Sequence, residues 1–224
     1  MDGYGALLQN EHGNIWVSPA SIPIALKSKK TVSLQGSAGY NISTSETFDN
    51  GFPCIAFVHT TTPCEITQSI SGNTLTVNFL RPDSSGTGSV YFFTIFPQSL
   101  PSWGIAIWDA SGTLVLTNET RTLTDVTKFG TPGVDNASGY NVDTTVNGKW
   151  ACIPSINGIL TGVINTGGQP QPFSSLYKCL AVASGGNTRI YSRPQVQTGG
   201  GGLQGAVYQN SRNAIYAIEV SKYD

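Results

Sequence analysis

What this sequence most lacks is charge: Asp, Glu, Lys and Arg make up 11% of its 224 residues, against roughly 25% in an ordinary soluble domain. A polar but largely uncharged surface is therefore expected. Such a surface suits chains packed against copies of themselves or against other subunits, because fewer charges must be desolvated at each contact. The formal net charge of −1 provides no basic stripe for neutralising phosphates, so no nucleic-acid partner is expected. Lys27, Lys29 and Lys30 form the only basic cluster, and its expected place is a solvated strand end.

Helix signals are also missing. Gly and Pro recur every few positions, and no window holds apolar residues at helical spacing for three turns. No run approaches the roughly 18 apolar residues of a membrane span, so membrane insertion is not expected. The opening Met1 to Gly5 shows no basic segment leading into an apolar run, and no secretory leader is expected there. Cys54, Cys64, Cys152 and Cys179 contain no C-x-x-C spacing and stand in no ligand spacing with His12 or His59. No metal or cofactor is expected, and the thiols are read as small buried hydrophobes. Cys54 and Cys64, on adjacent expected strands, are the pair to test for a bridge. The 13 acidic residues form no acid and base arrangement. Gly86-Thr-Gly88 lacks the lysine of a phosphate loop, and there is no G-x-S-x-G. No catalytic residue is assigned, and an enzyme is not expected.

What is present is β-structure. Cys54-Ile-Ala-Phe-Val, Thr74 to Leu80 and Ser89 to Phe96 are rich in β-branched and aromatic residues, and turn clusters such as Ser71-Gly72-Asn73 separate them. The fold class expected is all-β, with two β-sandwich-like domains. A displacement of 99 residues aligns Tyr4-Gly5 with Trp103-Gly104, Asn10 with Asp109, Gly13 with Gly112, and Ile24 with Leu123. Asn10-Glu-His-Gly13 and Asp109-Ala-Ser-Gly112 each have the composition of a type I turn closed by a left-handed glycine. One hairpin is thus expected twice, at Tyr4–Val17 and Trp103–Leu116, inside an N-terminal β domain over residues 1–127. Residues 128–149 are rich in turn formers and are expected to be a linker or long loop. Strand-like segments resume over 150–224, the expected C-terminal β domain.

Trp16, Trp103, Trp108 and Trp150 are the candidate subunit-interface or glycan contacts, since aromatic rings both anchor interfaces and stack on sugar faces. Gly13 and Gly112 are the candidate turn glycines.

Tyr4-Gly5-Ala-Leu-Leu-Gln-Asn10-Glu-His-Gly13, with Trp103-Gly-Ile-Ala-Ile-Trp-Asp109-Ala-Ser-Gly112, resembles the opening element of small tail-associated proteins of long-tailed bacteriophages. The resemblance covers about the first 126 residues, through the two hairpins. It implies a non-enzymatic virion component of the tail tip or fibre region, made in the host cytoplasm. The partners it implies are other tail proteins and copies of itself, a trimer being favoured, and for attachment a host-surface glycan or outer-membrane protein. The first domain would dock to the tail and the second would face outward. A carbohydrate-binding module or receptor-binding adhesin is the main alternative, and a head or tail decoration protein is the second.

Overall fold

The computed structural model describes residues 8–9, 15–17, 22–166, 168–195 and 202–224. It is all-β: 57% is strand, and among the described residues no helix reaches seven residues. The elements are β1 (Leu8–Gln9), β2 (Ile15–Val17), β3 (Ala25–Leu34), β4 (Asn41–Thr47), β5 (Cys54–Thr60) and β6 (Glu65–Ser71). There follow β7 (Thr74–Leu80), β8 (Gly86–Thr94), β9 (Ala106–Trp108), β10 (Leu114–Thr117), β11 (Thr127–Phe129) and β12 (Asp143–Asn147). The chain ends with β13 (Trp150–Cys152), β14 (Ile156–Thr166), β15 (Gln169–Ser184), β16 (Asn187–Pro194), β17 (Gln204–Asn210) and β18 (Ile215–Glu219).

Burial follows the apolar pattern of each strand. In β7, Leu75, Val77 and Phe79 are buried at alternate positions, as one face of a pleated strand requires. β5 and β8 instead carry unbroken runs of buried residues, the pattern of strands covered on both faces. The β4-β7-β6 sheet covers one face, packing Ile66, Leu75, Val77 and Phe79 onto Ala56, Val58, Val90 and Phe92. The other face of the same two strands, Phe57, Tyr91 and Phe93, packs against Ala151, Ile218, Val220 and Tyr223. A third cluster, including Cys152, Cys179, Ile190 and Ile215, fills the space among β13, β15, β16 and β18.

The sheet does not divide at the expected boundary near residue 127. β5 pairs with β8 over its whole length, with β13 at Val58 opposite Cys152, and in parallel with β15 at Thr60 opposite Val182. The eleven-stranded sheet therefore runs from the N-terminal half into the C-terminal half through β5.

Residues 128–149 are likewise not a linker. They hold β12, which pairs with β16 from Asp143 opposite Tyr191 to Asn147 opposite Asn187. The turn formers ahead of β12 make two short 3-10 turns, Asp135–Ala137 and Gly139–Asn141. These are tied down by Thr131 N–H to Ala137 O at 2.7 Å and Gly139 N–H to Asn213 O at 2.7 Å. The short alternation of β12, which buries little but Val146 against the third cluster, is hidden by the turn residues around it.

The strand pairing of the repeated hairpin is present in both places. β1 and β2 pair antiparallel with Leu8 opposite Val17 and Gln9 opposite Ile15. β9 and β10 pair with Ile107 opposite Leu116 and Trp108 opposite Leu114. These registers coincide under the 99-residue displacement, including the irregularity between the two pairs. In the second copy the Asp109 carboxylate accepts from Ser111 N–H at 2.9 Å and Thr113 N–H at 2.8 Å, and Gly112 adopts φ +81°. That is the Asx-stabilised turn with a left-handed glycine expected from the residues. The first turn, with Gly13, lies outside the described residues. The ends of the repeat are antiparallel neighbours: Leu123 N–H donates to Ile24 O at 2.8 Å, and Ala25 bridges Thr122.

Candidate functional site

Of the expected contact residues, Trp103 is 76% exposed and Trp108 53% exposed. With Leu100 and Ile105, they give one short stretch four exposed large apolar side chains. Trp150 is different. Its ring meets Phe129 edge-on at 5.5 Å, its indole N–H donates to Asn147 O at 2.8 Å, and its carbonyl lies 2.7 Å from His59 Nδ1. It is a packing residue of the third cluster. The backbone of Trp16 lies in β2. The structure therefore leaves Trp103, in the segment before β9, and Trp108, at the end of β9, exposed, and packs Trp150 elsewhere.

The cysteines are all free. Cys54 begins β5 and Cys64 lies beyond its far end, so the length of β5 separates the pair that was expected on adjacent strands. The close pair is Cys152 and Cys179, fully buried with sulfurs 3.9 Å apart. His59 is buried and hydrogen-bonded as a core residue.

The most concentrated polar chemistry lies where no motif pointed. A cleft of about 450 Å³ at an open end of the space between the three-stranded sheet and the main sheet is lined by Glu65, Arg81, Asp83, Lys178, Arg193 and Gln195. β6 supplies Glu65 at its first residue, and the turn after β7 supplies Arg81 and Asp83. That turn is anchored by Arg81 N–H to Tyr40 O at 3.0 Å and Asp83 N–H to Pro63 O at 2.9 Å. Arg81 has φ +46°, a left-handed backbone that costs a non-glycine residue energy. β15 and β16 supply Lys178 and Arg193, which stand directly opposite each other. Two cations in register repel, so this pairing requires anions nearby.

Two carboxylates provide them. Asp83 binds Arg193 through both oxygens, at 2.7 and 3.1 Å. Glu65 is paired with Arg81, accepts from the Gln195 amide, and lies 3.9 Å from the Lys178 ammonium. The Lys178 ammonium donates no hydrogen bond to another described residue, although its side chain is only 13% exposed. Burial pulls its pKa below the ordinary lysine value, and the Glu65 charge only partly restores it. Three cations thus face two anions.

Cys64 also lines the cleft. The Cys64 thiol beneath it is pushed up to about 12, by burial above all, so it stays protonated at neutral pH. Among the described residues no cluster of three or more His, Cys, Asp or Glu could hold a metal ion, and no helix is long and apolar enough to cross a membrane. The lining residues are scattered from 64 to 195, which is why sequence spacing missed them. Arg81 and Asp83 lie in a turn, and Glu65 and Arg193 lie in strands that are mostly polar, so no local pattern marks them.

A second polar surface lies across the sheet, where Tyr140, Tyr177 and Tyr208 gather with ring centroids 5.1 and 6.4 Å apart. No protein-family model, curated protein or solved structure matches this chain.

Proposed function

We propose that this chain is a non-enzymatic structural component of a bacteriophage tail, in the tip or fibre region, that assembles through its second hairpin and contributes to host-surface attachment. The observation that carries the assembly reading is the exposure of Leu100, Trp103, Ile105 and Trp108 on and beside a short, well-formed hairpin. Isolated exposed apolar residues are ordinary, but four within nine positions make a surface that another subunit would bury. The scarcity of charge, 11% of residues, supports the same reading. Its partners are copies of itself, a trimer being favoured, and other tail proteins. Its location is the virion tail after synthesis in the host cytoplasm.

Size-exclusion chromatography with light scattering tests assembly. The wild-type chain is expected to self-associate, or to bind purified tail proteins, and Trp103→Ser with Ile105→Ser is expected to abolish this without lowering the melting temperature. A wild-type monomer that binds no tail protein would sink the reading.

The alternative of a carbohydrate-binding module or adhesin is favoured by the charged cleft and by the half-exposed Tyr208 within the tyrosine cluster. A glycan array separates the two, since binding lost on changing the cleft or Tyr208, with assembly unaltered, assigns attachment to those surfaces.

A further inference from the structure

We propose that the cleft between the two sheets binds a saccharide carrying one carboxylate, with Lys178 taking the carboxylate and Glu65, Asp83 and Gln195 taking ring hydroxyls. The inference rests on the attachment half of the function proposed above and not on the assembly half.

Charge fixes the first part of the ligand. The cleft holds Arg81, Lys178 and Arg193 against Glu65 and Asp83, a surplus of one positive charge. The bidentate Arg193–Asp83 pair is closed on itself, and Glu65 is divided between Arg81 and Gln195. What remains is the Lys178 ammonium, mostly buried, placed beside a second cation on the neighbouring strand and 3.9 Å from its nearest carboxylate. A singly charged carboxylate would supply its missing hydrogen-bond acceptor and relieve the repulsion. A doubly charged phosphate would exceed the surplus and stand against Glu65 and Asp83.

Lining chemistry fixes the second part. A carboxylate oxygen already accepting from arginine keeps a free lone pair, and it accepts a hydroxyl readily. Glu65 and Asp83 therefore turn acceptors into a cleft whose Gln195 adds both donor and acceptor capacity. The apolar lining is confined to Cys64, Leu180 and Pro194, of which the first two are fully buried, so it is too small for a hydrophobic side chain. About 450 Å³ lies within the range of small-ligand pockets, roughly 300–1,000 Å³. Arg81, at φ +46°, lies in the turn after β7 that lines the cleft.

The test is titration of the full chain, followed by amide NMR shifts at Lys178, Arg193 and Gln195, with D-glucuronate, D-glucose, acetate and inorganic phosphate. Glucuronate is expected to bind at least tenfold more tightly than the other three, and Lys178→Gln to remove that preference while the chain keeps its melting temperature. Glucose binding as tightly as glucuronate would overturn the role of the carboxylate. Acetate binding as tightly would overturn the saccharide, and phosphate binding as tightly would overturn the charge match. Unchanged glucuronate affinity in a folded Lys178→Gln variant would overturn the site. Should that variant fail to fold, the wild-type comparison among the four probes still decides. Oligomerisation is read in a separate experiment, so failure of the cleft and failure of the assembly reading are distinct outcomes.

Discussion

Phe57 offers the sharpest test of how the two halves of this chain depend on each other. It is 1% exposed on β5 and meets Phe93 edge-on at 5.7 Å, while Phe93 meets Tyr223 at 5.0 Å. One ring from the N-terminal half thus reaches the end of the C-terminal half through a single intermediate. Phe57→Ala deletes the ring from a packed interior, which costs about 3–5 kcal/mol including the edge-on pair. At roughly 2–4 °C per kcal/mol for a chain of this size, the melting temperature should fall by about 6–20 °C.

The informative quantity is where that loss appears. With Trp16, Trp103 and Trp108 changed to Phe, Trp150 is the sole tryptophan, and it reports the third cluster. Guanidinium unfolding followed by Trp150 fluorescence and by far-UV circular dichroism should give one midpoint by both probes. Phe57→Ala should lower both midpoints together, because β13 places Ala151 in the Phe57 cluster and Cys152 in the third. An unchanged Trp150 midpoint, with only part of the dichroism lost early, would refute the argument that β5 welds the halves into one cooperative unit.

Two further outcomes follow from the side-chain environments. Burial would raise the Asp224 carboxyl, but hydrogen bonds from Lys149, Tyr91 and Lys29 outweigh it and hold the acid well below its usual range. A depressed acid adds stability that is complete above its unfolded value of about 3.9 and is lost as pH falls toward the folded value. Calorimetry should therefore show wild type ahead of Asp224→Asn at pH 6, by roughly 1 kcal/mol given its one-third exposure, with the gap closing below about pH 4; a gap that widens in acid would contradict the assignment. Burial pushes Cys54 up to about 11 and Cys64 up to about 12, which leaves at most about one thiolate in a thousand at pH 8. Iodoacetamide should label none of the four cysteines rapidly in the native chain and all four in guanidinium, as counted by intact mass; fast native labelling of Cys64 would show that its cover opens.

The hairpin repeat was legible because its information is local. An Asn or Asp, a glycine three positions on and flanking apolar residues specify a turn whatever surrounds it, and Gly112 and Asp109 behave accordingly. The β5 and β8 strands were legible for the same reason, each being an unbroken apolar run. The connection between halves was not, because a run buried on both faces does not say which strands cover it. β12 was missed since only Val146 marks it as buried among turn formers. The cleft was least legible: Glu65 lies 130 residues from Gln195, and only the pairing of β15 with β16 and the packing of β6 above them bring the two together.

The low charge takes on a more specific meaning once the pairs are traced. At least ten of the twelve basic side chains stand in ion pairs, and several of these pairs close seams between distant segments. Lys27 and Lys30 of β3 reach Glu46 of β4, so this basic cluster is a strand-to-strand tie and not the solvated strand end first expected. Lys29 and Lys149 converge on Asp224, which also accepts from the Tyr91 hydroxyl at 2.6 Å, joining β3, β8 and the residue before β13 at one point. Asp83 and Arg193 join the turn after β7 to β16. Charges held this way fasten strand edges that short β-strands leave weakly determined, and few charged side chains of the described residues remain outside such pairs. That division leaves the stretch around Trp103 and Trp108 apolar and exposed while Lys178 stays a surplus cation inside a cleft.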